Sequence, residues 1–319
     1  MQALMLSSEL RYRSDCRTPQ PNDHEALIRL SLAGICATDL ELVNGYAGFS
    51  GILGHEFVGV VEAVGHERYR HWLHRRVVGS INIGCGVCEA CQQSGPEHCQ
   101  YRQVLGIRGQ DGVFADYFTL PIANLYAVPD GIDDDAAVFT EPLAAAMRVV
   151  KQLQALSVDK IAVLGPGRLG LLIAKALNIH GYAVDVLGRS HASLALPKQW
   201  QLKTALIDEV MDDQYHCVID ATGNADGFRQ ALRILSARGT LILKSTFSDL
   251  QPIDLSKIVV HELKVIGSRC GPFADALTVL QQHAIPVRDL IDGRYPLQDG
   301  INAFQQASRA GVRKILLYP

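Results

Sequence analysis

Several things are scarce in this 319-residue sequence. It contains no run of about 18 apolar residues, so nothing in it reads as a membrane-spanning helix. Neither charge dominates: 30 Lys+Arg face 33 Asp+Glu, a formal net charge of −3. With no basic stripe, that balance argues against nucleic acid or an anionic membrane surface as a partner. Residues 1–9 lack a basic segment followed by a long apolar core, so they do not read as a signal peptide, and the cytoplasm is the expected location. Internal repeats and low-complexity tracts are also missing. What is left is an ordinary globular composition, with 48% apolar and 20% charged residues, in a chain long enough for about two domains.

Cysteine is where the sequence is distinctive. Four of its eight cysteines, Cys85, Cys88, Cys91 and Cys99, follow the spacing C-x2-C-x2-C-x7-C on Gly-containing turns. Four soft ligands this close in sequence suit one tetrahedral zinc ion at about 2.3 Å, and a site closed by four thiolates is structural. An iron–sulfur cluster fits less well, because the last gap is long and Cys99 is not followed by proline. Disulfides fit poorly in a chain with no sign of export. The other cysteines, at 16, 36, 217 and 270, are scattered as reduced thiols would be.

The chain has two textures. Residues 1–142 show short β-branched or alternating runs, such as 26–30, 57–61 and 76–78, separated by Gly, Asn, Pro and Asp. Residues 143–270 alternate strand-like and helix-like stretches: strands at 160–164, 183–187, 217–220, 240–244 and 263–266, helices at 167–180 and 225–236. That order predicts a doubly wound parallel sheet. Residues 271–319 hold a helix-like stretch at 274–282 and end in an apolar strand, 314–318, expected to return to the first domain.

Gly165-Pro166-Gly167-Arg168-Leu169-Gly170 follows one of these strands and opens a helix. This G-x-G-x-x-G allows a tight turn and close backbone approach to a pyrophosphate at a helix N-terminus, making Gly165, Gly167, Arg168, Leu169 and Gly170 candidate dinucleotide contacts. The next strand would end in an acidic residue if a ribose 2′-hydroxyl were read there. Its tip is instead Gly188-Arg189-Ser190, and Asp185 lies inside the strand. A guanidinium and a hydroxyl suit a 2′-phosphate, so NADP(H) is favoured over NAD(H); the alternative is NAD with Arg189 merely solvated.

Three further segments complete a pattern: 34–39, containing Cys36, Thr38 and Asp39; 54–59, containing His55 and Glu56; and 139–143, containing Glu141. In this order, with the four-cysteine lobe (85–99) and the glycine turn, they resemble the zinc-dependent medium-chain alcohol and polyol dehydrogenases over nearly the whole chain. The Glu-Pro-Leu form at 141–143 is similar to the sorbitol- and threonine-dehydrogenase branch. The resemblance implies an α/β molecule, a Rossmann domain with a doubly wound parallel sheet (143–270) plus a β-rich GroES-like catalytic domain (1–142, rejoined by 271–319).

The same resemblance implies a second, catalytic zinc with an open position, held by Cys36, His55 and Glu141. Glu56 would either bind that ion directly or trade places with a water. Asp39 would orient the histidine, and Thr38 would receive the substrate proton. Thr222 and Gly223 would touch the adenosine half of the cofactor. Arg313 would lie near the pyrophosphate, although a surface ion pair explains it almost as well. The implied reaction is hydride transfer between a nicotinamide and a small-molecule alcohol or carbonyl, in a homodimer or homotetramer. Tyr46 and Phe49 either line the pocket or pack on the sheet. The Arg- and His-rich segment 65–76 reads as a solvated basic loop.

Overall fold

A computed structural model describes residues 1–245 and 255–319. The chain divides into two compact units, one built from Met1–Glu141 and Phe273–Pro319, the other from Pro142–Pro272.

The first unit is organised around a seven-stranded sheet. Its long central strand, Glu25–Gly34, pairs antiparallel with Glu56–Val64 on one side. Tyr117–Pro121 and the C-terminal strand Lys314–Tyr318 also pair with it. The alternation of apolar and polar residues in Glu25–Gly34 buries Ala26, Ile28 and Leu30 in one core with Phe57, Phe114 and Phe118. The last 47 residues belong to this unit by packing as well as by pairing. Phe304 meets Phe114 edge-on, with ring centroids 5.9 Å apart, a contact worth about 0.5–1.5 kcal/mol beyond its buried area. The Asp133–Asp135 triplet is tied residue by residue to Arg288, Arg76 and Arg294.

The second unit is the doubly wound sheet expected from the alternating texture. Six parallel strands run in the order Lys203–Leu206, Val184–Gly188, Ile161–Leu164, Tyr215–Asp220, Leu235–Leu243, Lys264–Gly267. The direction of winding reverses between Ile161–Leu164 and Tyr215–Asp220, which is where such folds bind ligands, beyond the carboxyl ends of the strands. The central strand Ile161–Leu164 is buried along its whole length, as a parallel strand covered on both faces must be. Among the described residues, no helix is long and apolar enough to cross a membrane.

The helix Thr140–Gln154 and the edge strand Lys203–Leu206 are additions to the elements read from the sequence. Segment 65–76 forms a 3-10 turn over Glu67–Trp72 that keeps its charges at the surface, with Arg70 on Glu67 and Arg68 against His24.

Candidate metal and dinucleotide sites

Cys36 lies two residues beyond the end of the strand Glu25–Gly34 and caps the helix Ala37–Val43. The cap is reciprocal: Asp39, at the third helical position, accepts the Cys36 backbone N–H at 2.8 Å. That bond uses one oxygen of Asp39. The other, Oδ1, faces His55 Nδ1 at 3.2 Å, and neither of these two buried atoms has a hydrogen-bond partner elsewhere among the described residues. With Nδ1 held by the carboxylate, Nε2 is the histidine atom left for a metal. Burial alone would lower the His55 pKa, but Asp39 and the adjacent Cys36 outweigh it and push it well above the ordinary imidazole value.

Cys36, His55 and Glu56 each offer a ligand atom, and these atoms lie within 4.8 Å of one another. His55 and Glu56 are buried, at 3% and 1% exposure. A thiolate, an imidazole and a carboxylate converging in a buried place match three protein ligands of a zinc ion that keeps one position open. Thr38 stands beside them, its Oγ1 3.8 Å from Cys36 Sγ. Glu141 lies outside this group of three, in the first turn of the helix Thr140–Gln154.

Glu56 has a partner of its own. The Lys314 ammonium group bonds its Oε2 and also donates to the Ile35 carbonyl at 3.3 Å. It sits 5.8 Å from the Phe139 ring centroid. Gly34 makes room for this pair, because a Cβ there would come within 2.5 Å of Glu56 Oε2 and 3.3 Å of Lys314 Cδ. Lys314 and Gly34 were not singled out from the sequence. The available signal was a lysine leading into the otherwise apolar run Ile315-Leu316-Leu317.

In the lobe, Cys85, Cys88, Cys91 and Cys99 bring their sulfurs within 4.8 Å of one another. Cys88 Sγ and Cys99 Sγ are 3.8 Å apart. A tetrahedron with bonds of about 2.3 Å has edges of about 3.8 Å, so the spacing fits a tetrathiolate zinc site. Backbone N–H groups of Val87 and Cys88 lower the Cys85 pKa to about 6, whereas burial and the neighbouring thiols raise Cys91 to about 12. A divalent cation offsets the repulsion that keeps such neighbours from ionising together.

The glycine turn sits at the switch point of the second unit. Gly165 has φ +98°, a conformation other residues adopt at a cost. Gly167 caps the helix Arg168–Ile179, and a Cβ added there would meet no atom within 4 Å, leaving open space in front of the helix N-terminus. Such a cradle suits a pyrophosphate. On the neighbouring strand, Asp185 Oδ2 is taken by Lys203 Nζ and the Tyr215 hydroxyl, both at 2.9 Å. At the strand tip, Arg189 is exposed and has no hydrogen-bond or ion-pair partner among the described residues. Ser190 turns back on Ser193, which donates to its carbonyl at 2.7 Å. The Thr222 hydroxyl points to Asp220 Oδ1 at 2.7 Å. Arg313 lies in the first unit, its guanidinium 3.9 Å from Asp292.

Residues 22–130 match the model of the alcohol dehydrogenase GroES-like domain, and residues 169–284 match that of the zinc-binding dehydrogenases. A sorbitol dehydrogenase of Halalkalibacterium halodurans is 27% identical, covering 94% of this chain and 93% of that protein. An L-threonine 3-dehydrogenase of Anaeromyxobacter dehalogenans is also 27% identical, over 95% of this chain and 93% of its own. The chain belongs to the zinc-dependent medium-chain alcohol dehydrogenase family. It is accordingly an oxidoreductase that uses zinc and a nicotinamide cofactor. The crystal structure of a zinc-binding dehydrogenase from Sinorhizobium meliloti, bound to NADP, superposes on the whole of this chain and 99% of that one, with a TM-score of 0.88 and 25% identity. The family also fits the local geometry of this dehydrogenase, in which a thiol beside a buried imidazole and carboxylate, and a glycine turn, occupy separate units.

Proposed function

We propose that this dehydrogenase transfers a hydride between NADP(H) and a secondary alcohol, polyol or related carbonyl. The observation that carries the reading is the convergence of Cys36, His55 and Glu56 within 4.8 Å in a buried place beside a hydroxyl, Thr38. Cys36, His55 and Glu56 would hold the catalytic zinc, and Glu141 is the further ligand that the family resemblance implies. Cys85, Cys88, Cys91 and Cys99 would hold a structural zinc. When bound, the metal supplies Lewis acidity toward a substrate oxygen, and the nicotinamide supplies the hydride exchange. Asp39 fixes the histidine ring so that one nitrogen points at the metal position. Thr38 takes the proton of the substrate hydroxyl and passes it on. Lys314 holds the second face of the Glu56 carboxylate and keeps its charge compensated.

The strand tip supports a preference for NADP(H). Asp185 is committed to Lys203 and Tyr215, so it does not serve as the ribose acceptor. Arg189 has no partner among the described residues and is able to meet a 2′-phosphate, with Gly188 and Ser190 beside it. The NADP found in the Sinorhizobium relative is in keeping with this. Polyol and amino-alcohol substrates are the chemistry of the sorbitol and threonine dehydrogenase relatives. We also infer a homodimer or homotetramer, since the edge strand Lys264–Gly267 exposes Val265 and the nearby helix Leu255–Val260 exposes Val259 and Val260.

The test is a screen of alcohols, polyols and aldehydes followed by NADPH and NADH absorbance. NADPH is expected to give the higher kcat/KM, and Arg189→Ala to lower it about tenfold, the value of one lost charged contact. Turnover about tenfold more efficient with NADH than with NADPH would reject the NADP reading in favour of an NAD-preferring polyol or amino-alcohol dehydrogenase.

A further inference from the structure

Asp220, the last residue of the strand Tyr215–Asp220, is fully buried and is not used by the reaction described above. Its Oδ1 accepts the Thr222 backbone N–H at 3.0 Å and the Thr222 hydroxyl at 2.7 Å. Oδ2 is equally buried and has no hydrogen-bond partner among the described residues. Burial raises the Asp220 pKa above the usual carboxylate range, and the bonds to Thr222 and Ser245 draw it part of the way back. Ser245 Oγ accepts the Gly223 N–H at 2.8 Å and donates to the Asp220 carbonyl at 3.3 Å. Asn224 Oδ1 takes the Gly227 N–H at 2.9 Å.

The N–H groups of Thr222, Gly223 and Gly227 are thus spent within the turn itself. A helix N-terminus whose donors are consumed in this way is a poor anion cradle, in contrast to the open space in front of Gly167. The turn acts as a wall instead, and the glycine turn leans on it. A Cβ at Gly165 would lie 3.0 Å from the Ala221 carbonyl and from Thr222 Cα. A Cβ at Gly170 would fall 1.9 Å from the Gly165 oxygen and 3.5 Å from Ala221 Cβ. Ala221 and Thr222 therefore set how far the Gly165 turn can move.

We propose that Asp220 is a positioning residue for dinucleotide binding: through Thr222 and Ala221 its carboxyl group holds the Gly165 turn in the place that receives the pyrophosphate. The inference rests on the dinucleotide reading of that turn. It is tested on the zinc-loaded enzyme by titrating NADPH and NADH and following their fluorescence, with steady-state KM and kcat and thermal melting measured alongside. Asp220→Leu fills similar space without an acceptor and is expected to raise Kd and KM for the cofactor about tenfold, with kcat at saturating cofactor within about twofold of wild type. Asp220→Asn keeps Oδ1 as acceptor and is expected to recover most of that loss, which a purely structural role for the side chain would not predict as a split between KM and kcat.

Should Asp220→Leu not fold, Thr222→Val decides. It removes only the hydroxyl and is expected to weaken binding about threefold. The proposal is overturned if the folded Leu variant, or Thr222→Val in its place, binds cofactor as tightly as wild type. Equal losses in the Asn and Leu variants overturn it as well. A wild-type enzyme that binds neither dinucleotide would instead overturn the reading of the glycine turn, and the proposal with it.

Discussion

Lys314 and Glu56 are 1% exposed each, and they meet in the core of the first unit where the strands Glu56–Val64, Glu25–Gly34 and Lys314–Tyr318 come together. A charge pair in such a place adds little over a well-packed apolar pair, but removing one partner strands the other. Lys314→Met is therefore expected to cost about 3–5 kcal/mol in denaturant unfolding. Much of that loss should return in the double variant Glu56→Gln/Lys314→Met, because the uncompensated carboxylate is gone. A cost below about 1 kcal/mol in Lys314→Met would show that Glu56 is satisfied by another partner. Asp39 makes the complementary point. One carboxylate serves both as helix cap and as the group facing His55, so fold and site depend on the same side chain.

At the scale of elements, the four-cysteine lobe is built from small pieces: the strand Asn82–Ile83, the helix Glu89–Gln93 and the 3-10 turn Pro96–His98. Pieces this short bury too little apolar surface to hold their arrangement, and an ion bound by the four thiolates would supply what is missing. Cys91→Ser is expected to lower the melting temperature by about 5 °C or more. An unchanged melting curve would show that the lobe needs no metal.

Legibility in the sequence followed the range of the interactions involved. The lobe and the glycine turn were readable because their ligands and turns lie within a few residues of each other. The helix Arg168–Ile179 and the strands around it were readable from periodicity, with ends displaced by a residue or two. The helix Thr140–Gln154 was not recognised, since Thr140-Glu141-Pro142 was read as the edge of a domain. Proline near a helix start costs nothing, and the helix simply runs through it. The edge strand Lys203–Leu206 carries only a four-residue signal. Lys314 could not be placed beside Glu56 at all, because 258 residues separate them and only the assembled sheet brings them together. Asp220 was readable as a strand end, whereas its hold on Thr222 emerged only from the geometry.

For the whole molecule, the division of labour is between two units of different architecture. The first carries both candidate metal-binding groups on an antiparallel framework closed by the chain's C-terminal strand. The second carries the glycine turn at the switch point of a parallel sheet. The two cysteine-containing groups differ in kind: four thiols, which would enclose an ion, against a thiol, an imidazole and a carboxylate, which would leave a zinc position open. On the proposed reading, chemistry belongs to Cys36, His55 and Glu56, with the lobe as a brace. The most direct test is elemental analysis of the purified enzyme beside its Cys36→Ser variant, with turnover and melting recorded for each. About two zinc ions are expected per wild-type chain, and about one in Cys36→Ser, which should lose turnover while melting close to wild type. About one zinc in the wild type, or a Cys36→Ser variant that keeps about two and still turns over, would contradict it.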